Sequence, residues 1–252
     1  MKPMNEGLFS PSSALHDFIG QHSGLFPGLG HFHHHQPPDS NLQIRSIDGT
    51  QNNLAQPDLN VAGTDFTRVG PANFEDGFAT PIGGANPREI SNTVVAGQGD
   101  LANPEGLSGM MYAWGQFIDH DLDLSMSDGV SHIDISVPQG DPTFAPGTTI
   151  PLTRAVIDPA TGTPGHPATA VNSISGWLDA SMVYGSDATT AASLRMPDGH
   201  MKTSEGNNLP IVDGMFAAGD VRAAENPDLT ALQTLFVREH NYQVDRLDRK
   251  SV

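Results

Sequence analysis

Three short segments carry side chains whose types and spacing could do chemistry. In the first, Gln116, Asp119 and His120 stand at i, i+3 and i+4, which on a helix is one face. That face is not the one carrying Trp114, Phe117 and Ile118, so an amide, a carboxylate and an imidazole are presented together toward something polar. The run Asp119-His120-Asp121-Leu122-Asp123 places further carboxylates near a helix C-terminus, where the helix dipole disfavours anions. A cation or a specific partner would offset that cost; a solvated acidic helix end is the plainer alternative. In the second segment, Ser175, Asp179 and Ser181 are separated by even steps, so an extended or looped chain aims their oxygens the same way. Such oxygens suit Ca²⁺, which takes roughly six to eight of them in flexible geometry. The loop alone supplies too few ligands and Asp121 would complete the shell; otherwise Asp179 caps a turn and Ser181 is solvated. The third segment, 219–228, sets Arg222 and Glu225 just before a helix start, where the bare residues read equally well as a surface ion pair of little worth.

The elements that must position these groups are helices. Met110, Met111, Trp114, Phe117, Ile118 and Leu122 recur at three- and four-residue steps, which predicts a helix over Gly106–Leu124 with Ser108 as its N-cap. A short helix is expected over Ser186–Leu194, capped by Ser186. Asn226-Pro227 supplies an N-cap with proline at the first helical position, and a long helix follows to about Leu247, with Leu229, Leu232, Leu235, Phe236 and Val244 on its buried side. Residues 41–106 read as an irregular arm wrapping a core, with an ordered loop at Asn86–Asn92. Residues 127–173 are turn-rich, and no large sheet is indicated. The fold class is therefore mainly α with extensive coil. Residues 1–40 read as a low-complexity, disordered leader. Its His31, His33, His34 and His35 could bind a metal, but short histidine tracts are compositional signals only.

Composition narrows the function classes. The chain has 252 residues, 12 Lys+Arg against 29 Asp+Glu, and a formal charge of -17. That charge repels phosphate backbones, which argues against a nucleic-acid partner, and favours cations. With no cysteine, a disulfide scaffold, a cysteine nucleophile, cysteine-ligated zinc and iron–sulfur clusters are excluded. No stretch approaches the length of a membrane-spanning helix. The N-terminus lacks the continuous apolar run of a cleavable secretory signal, so localisation stays open between the cytosol and export by another route.

Taken together, the three segments resemble the animal-type haem peroxidases of the peroxidase–cyclooxygenase superfamily. Trp114-Gly-Gln-Phe-Ile-Asp-His-Asp-Leu-Asp123 is similar to that family's distal-histidine helix, and Leu178-Asp-Ala-Ser-Met-Val-Tyr-Gly-Ser186 to its calcium loop and the following turn. Ala218-Gly-Asp-Val-Arg-Ala-Ala-Glu225, with Leu235-Phe-Val-Arg-Glu-His-Asn241, resembles its catalytic-arginine segment and the next helix. Upstream, Arg45-Ser-Ile-Asp-Gly-Thr50 with Asn52-Asn-Leu-Ala55, and Asn86-Pro-Arg88 with Ile90-Ser-Asn92, resemble the opening arm of bacterial members, and the absence of cysteine fits a bacterial-type member. The resemblance runs from about residue 44 to the end.

The resemblance implies the family's helical fold and the following roles. His120 would take the peroxide proton and return it to the leaving oxygen. Arg222 would stabilise charge as O–O breaks, and Gln116 would position water or halide. Asp119 and Glu225 would be the carboxylates able to form esters with haem b. Asn226 stands where some members carry a haem-linked methionine, so no sulfonium bond is expected. Asp121, Ser175, the Trp177 carbonyl, Asp179 and Ser181 would hold Ca²⁺. H₂O₂ and a small organic or halide donor would be the substrates.

The family's iron-binding proximal histidine lies well downstream of the arginine segment, whereas this sequence stops at Val252. His132, His166, His200 and His240 have no match to it. The expectation is that 41–252 form the N-terminal, distal part of the domain, incomplete at its C-terminus, with a second chain as one source of the proximal half. The competing expectations are a calcium-binding, catalytically inactive fragment acting as a structural or interaction module, and a metal-binding protein built on the histidine tract.

Overall fold

Among the described residues, five α-helices and eight short strands follow one another along the chain. The computed structural model describes residues 45–97, 99 and 101–249, all within one compact unit spanning Ile44–Val252. The expected leader over 1–40, its boundary and its histidine tract lie outside the described residues. The helices are α1 (Pro87–Val94), α2 (Met110–Asp119), α3 (Ser181–Tyr184), α4 (Ala188–Leu194) and α5 (Pro227–Asp248). The strands are β1 (Thr64–Asp65), β2 (Ser127–His132), β3 (Ile135–Ser136), β4 (Thr149–Ile150), β5 (Thr153–Ala155), β6 (Val171–Asn172), β7 (Ile211–Val212) and β8 (Met215–Phe216). They pair only as the two-stranded antiparallel ribbons β1–β6, β2–β5, β3–β4 and β7–β8. None of the described helices is long and apolar enough to cross a membrane.

The core is where α2 and α5 pack over the 181–209 region. Ala113, Phe117, Met182, Val183, Leu194, Met201, Leu209, Ala223, Leu229, Leu232 and Val237 form one buried cluster. Phe117 stands between Trp114 and Phe236, with ring centroids 5.6 and 4.8 Å away, the tilted geometry aromatic pairs favour. α5 starts as its Asn-Pro signal requires: the Asn226 side chain accepts from Leu229 N, and Pro227 needs no donor at the first position. Its 22 residues give a rod of about 33 Å.

Several local expectations are corrected. Asn86–Asn92 is not a loop. Asn86 caps α1, accepting from Arg88 N at 2.8 Å, so Asn86-Pro87 starts a helix by the same device as Asn226-Pro227. α1 is then anchored by Arg88, whose Nε and Nη2 donate to Asp141 at 2.6 and 3.0 Å. α2 is shorter than the periodicity suggests. It begins after Gly109 with no side-chain cap, because Ser108 only offers its carbonyl to Met111 N, and it ends at Asp119. Met110, Met111, Trp114 and Leu122 are exposed, so its buried stripe is Ala113 and Phe117. α4 is capped by Asp187, which accepts from Thr189 N and Thr190 N, rather than by Ser186. Leu235 is exposed and Val237 takes its place in the core.

The Arg238–Asn241 stretch of α5 acts as a clamp on the segment before β7. Arg238 donates to the carbonyls of Gly206 and Asn207. Asn241 both donates to and accepts from the Met201 backbone. His240 bonds the Gly199 carbonyl through Nε2 and the Tyr184 hydroxyl through Nδ1. One turn further on, Asp245 meets His200 Nε2 at 3.2 Å while Asp198 faces its Nδ1 at 3.2 Å. Partial desolvation opposes the His200 charge, but the two carboxylates prevail and raise its pKa above 6.5. A raised histidine pKa contributes stability that is fully present below the unfolded value and lost as pH rises through the folded one. The melting-temperature gap between the protein and His200→Gln should therefore be widest near pH 5.5 and close by pH 8.5. Melting curves across that range check it, and a gap that widens with pH would contradict the clamp.

Candidate functional site

Two polar clusters meet at the C-terminal end of α2. His120 is its C-cap and Asp121 the next residue; both are buried, at 3% and 2% exposure. They turn their side chains to different neighbours, and each defines one cluster.

The first cluster surrounds His120. Its Nε2 lies 3.7 Å from Glu225 Oε2, and its Nδ1 is buried with no hydrogen-bond partner among the described residues. Gln116, one turn earlier, donates Nε2 to Glu225 at 3.0 Å and accepts at Oε1 from Asn226 Nδ2 at 2.7 Å. Asn226 therefore orients the glutamine with its side chain while capping α5. Arg222 donates from Nε and Nη2 to Asp220, at 3.0 and 2.8 Å, and from Nη2 to the Asp123 carbonyl at 2.7 Å. The arginine partner is thus Asp220, not the Glu225 a surface ion pair would have used. Asp119 does not join the cluster by hydrogen bonds. It is exposed at the end of α2, so Gln116, Asp119 and His120 do not act as one face; Gln116 and His120 converge on Glu225.

The electrostatics follow from burial. Desolvation and then the Arg222 charge lower the pKa of His120 below its usual value, which favours the neutral imidazole. Desolvation works against Arg222 too, but its bonds to Asp220 outweigh it and hold the guanidinium firmly charged. Burial raises Glu225 above the ordinary carboxylate range, with Arg222 pulling the other way. An imidazole biased toward its neutral form, a charged guanidinium and a carboxyl group with a raised pKa thus occupy one place.

The second cluster surrounds Asp121. Its Oδ2 accepts from Ala180 N at 2.9 Å, and its Oδ1 from Ser181 Oγ at 2.9 Å and Met182 N at 3.4 Å. Asp179 accepts from Ser175 Oγ at 2.8 Å and Ser181 N at 3.0 Å, and the Trp177 carbonyl accepts from Asp179 N at 2.8 Å. The five residues expected to hold a cation are therefore gathered. The arm adds two contacts absent from the sequence reading: Arg45 Nε lies 3.6 Å from Asp179 Oδ1, and Asn52 Nδ2 donates to Asp179 Oδ2 at 3.4 Å. Burial raises the Asp121 pKa; the bonds from Ala180 and Ser181 oppose this, and the Asp179 charge adds to it. Among the described residues no three histidine, aspartate or glutamate side chains gather as a metal group. This cluster has two carboxylates, and the rest of its oxygens are hydroxyl and carbonyl. An all-oxygen set of that kind fits a hard cation rather than a transition metal.

A family model for animal haem peroxidases matches residues 44–251. The chain belongs to the animal haem peroxidase family. Among curated relatives, peroxidase skpo-1 of Caenorhabditis elegans is 36% identical over 219 residues, a match covering 81% of this chain and 33% of that protein. Human myeloperoxidase is 30% identical over 257 residues, covering 79% and 34%. Among solved structures, peroxidase A from Dictyostelium discoideum superposes with a TM-score of 0.68 at 25% identity, covering 82% of this chain and 47% of that one. The chain therefore spans about a third of these curated relatives and just under half of the solved peroxidase. A fatty acid alpha-dioxygenase from Arabidopsis thaliana, at 24% identity and a TM-score of 0.66, shares the fold.

The two clusters of this family member are joined by one close backbone contact. Gly219 N donates to the Val183 carbonyl and Asp220 N to the Met182 carbonyl, at 3.1 and 3.0 Å. A Cβ at position 219 would fall inside contact distance of the backbone at Ser181, Tyr184 and Gly185. Backbone cannot yield as a flexible side chain would. Gly219→Ala should therefore destabilise by about 3 kcal/mol, seen as a lower urea midpoint with an unchanged slope; a variant as stable as its parent would mean that this contact is loose.

Proposed function

We propose that this chain forms the peroxide-handling side of a haem peroxidase domain that oxidises small organic or halide donors with H₂O₂. The observation that carries this reading is the convergence of His120, Arg222, Gln116 and Glu225, drawn from segments about a hundred residues apart, with the imidazole biased toward its neutral form. Proton transfer at a peroxide requires that form, since an imidazolium has no lone pair to accept with. His120 would take a proton from one peroxide oxygen and deliver it to the other as that oxygen leaves as water. Arg222 would stabilise the negative charge that builds as O–O breaks. Gln116, held by Glu225 and Asn226, would position a water or an anionic donor. Haem, when bound, would supply the iron at which H₂O₂, the oxidant, is reduced, and would hold the two oxidising equivalents until the donor returns the electrons. The buried, unpartnered Nδ1 of His120 and the mixed base, cation and acid set fit a pocket built against such a group. Asp119 and Glu225 are the carboxylates that would attach to it as esters.

The oxygen cluster of Asp121, Ser175, Trp177, Asp179 and Ser181 would hold Ca²⁺, which offsets the Asp121–Asp179 repulsion. This cluster does not depend on His120, so it also favours a second reading, a calcium-binding module without turnover.

Two outcomes test these assignments. With haem bound, His120→Ala should slow the peroxide-induced change in the haem spectrum by about 10²–10⁴-fold while leaving haem affinity close to that of the parent. Equal stopped-flow rates would remove His120 from the proton-transfer role. Separately, Ca²⁺ should raise the melting temperature by mass action, by about 2.7 kcal/mol of stability at a hundredfold excess over Kd, and Asp179→Ala should abolish the rise. Identical melting curves in chelator and in millimolar Ca²⁺ would exclude the cation site.

A further inference from the structure

Asp220 lies two residues before Arg222 and pairs with it, but is not among the groups proposed above to act on the peroxide. Its side chain is completely shielded from solvent, and that of Arg222 is 14% exposed. The carboxylate makes three bonds to the same residue: Oδ1 accepts from Arg222 N at 2.7 Å and from Nε at 3.0 Å, and Oδ2 accepts from Nη2 at 2.8 Å. Asp220 itself cannot shift, because its own N–H and that of Gly219 are bonded to the α3 carbonyls of Met182 and Val183.

An arginine side chain carries five N–H donors in a rigid planar fork. Asp220 takes the Nε–H and one Nη2–H, and the Asp123 carbonyl, at 2.7 Å, takes the other Nη2–H. The two N–H groups of Nη1 are left. We propose that Asp220 is a positioning residue: its buried carboxylate grips one edge of Arg222 so that only Nη1 is presented to the peroxide. This rests on the peroxide reading of the pocket. The other carboxylates within electrostatic reach are Glu225 and Asp123. A guanidinium released from Asp220 could turn to Glu225, which Gln116 now holds, and its charge would then be spent on a carboxylate instead of a ligand. Bidentate pairing to a carboxylate is the geometry that prevents such rotation.

A purely structural role for Asp220 is separable. The bond from Arg222 N to Oδ1 is an ordinary aspartate turn, and asparagine can make it equally well. Asparagine has no second acceptor oxygen for Nη2 and no charge. Asp220→Asn therefore keeps the turn and loses the grip. In the full ¹⁵N-labelled chain, the Arg222 Nη1 and Nη2 groups should exchange slowly, by rotation about the Nε–Cζ bond, in the parent and at least about tenfold faster in Asp220→Asn, which loses the acceptor of Nη2, while the 219–223 amide resonances stay near parental values. With haem bound, the peroxide reaction of that variant should slow by about tenfold or more, up to the roughly 10²–10³-fold expected on losing an electrostatic donor outright, with haem affinity retained. Unchanged Nη1/Nη2 exchange in Asp220→Asn would reduce Asp220 to a turn cap and overturn the proposal. So would rapid Nη1/Nη2 exchange of Arg222 in the unsubstituted chain, a measurement that needs no variant. If the haem-loaded parent itself fails to react with peroxide, the peroxide reading falls, and the exchange measurement still decides whether Asp220 holds the arginine.

Discussion

The structure depends on a backbone contact that leaves no room for a side chain: Gly219 pressed against the turn formed by Ser181, Tyr184 and Gly185. Beneath that turn lies Asp121, whose carboxylate binds Ala180, Ser181 and Met182. Immediately after Gly219 lies Asp220, which holds Arg222. The turn is therefore the common wall of the oxygen cluster and the imidazole pocket. Ala180, which leads into it, is left-handed at φ 62°, a conformation costly for a non-glycine residue and sustained only where surrounding bonds fix it. Here its N–H is one of the donors that Asp121 takes, so the strained residue and the buried acid stabilise each other.

Burying charge in so small a volume is tolerable because almost every group has a specific partner. Asp220 has Arg222, Arg222 also has the Asp123 carbonyl, and Asp121 has three donors. Unpaired, each buried ion would cost several kcal/mol. His120 escapes the cost differently, by favouring its neutral form under the combined pressure of burial and Arg222. That asymmetry matters for function. A single network holds the cation charged and, beside it, biases the imidazole toward its neutral form, the pair of conditions that the proposed proton transfer coupled to bond cleavage would require.

Much of this was legible in the sequence because helix signals and family motifs are local. The Asn226-Pro227 start of the long helix, the mainly helical class and the gathering of Asp121 with the 175–181 loop are all found in the structure. What escaped was set by tertiary geometry. The apolar period of 110–122 implies a broad buried stripe, yet only Ala113 and Phe117 are covered, because burial depends on what packs against a helix and not on its own period. Asp119 sits at the right spacing from Gln116 for a shared face, but it is exposed, while His120, the next residue round the same helical turn, is buried. Arg45 lies more than a hundred residues from Asp179, and no local pattern could have paired them. Asn226 was visible as a cap but not as the residue that orients Gln116.

Asp220 shows a deeper reason why function hides in this chain. Most of its loops are held by one device, an Asp or Asn side chain accepting from the N–H two residues on: Asp48 to Thr50, Asn53 to Ala55, Asp76 to Phe78, Asp128 to Val130, Asp158 to Ala160, Asp198 to His200. Asp179 to Ser181 and Asp220 to Arg222 are the same motif. This explains how a chain with 29 acidic residues and a charge of -17 can sustain so much irregular backbone, since many carboxylates serve as acceptors for turn N–H groups that no helix or sheet would satisfy. It also means that sequence alone cannot separate an aspartate that merely shapes a loop from one that shapes a loop and holds a group of the candidate site. Use of the second carboxylate oxygen does not separate them by itself: in Asp76 it accepts from the Thr80 hydroxyl and in Asp141 from Arg88, both away from the site. What separates Asp220 and Asp179 is where that oxygen reaches, the guanidinium beside His120 in one and a serine hydroxyl within the oxygen cluster in the other. The site thus arises from a structural habit of the described loops, put to use where the second acceptor meets a group of one of the two clusters.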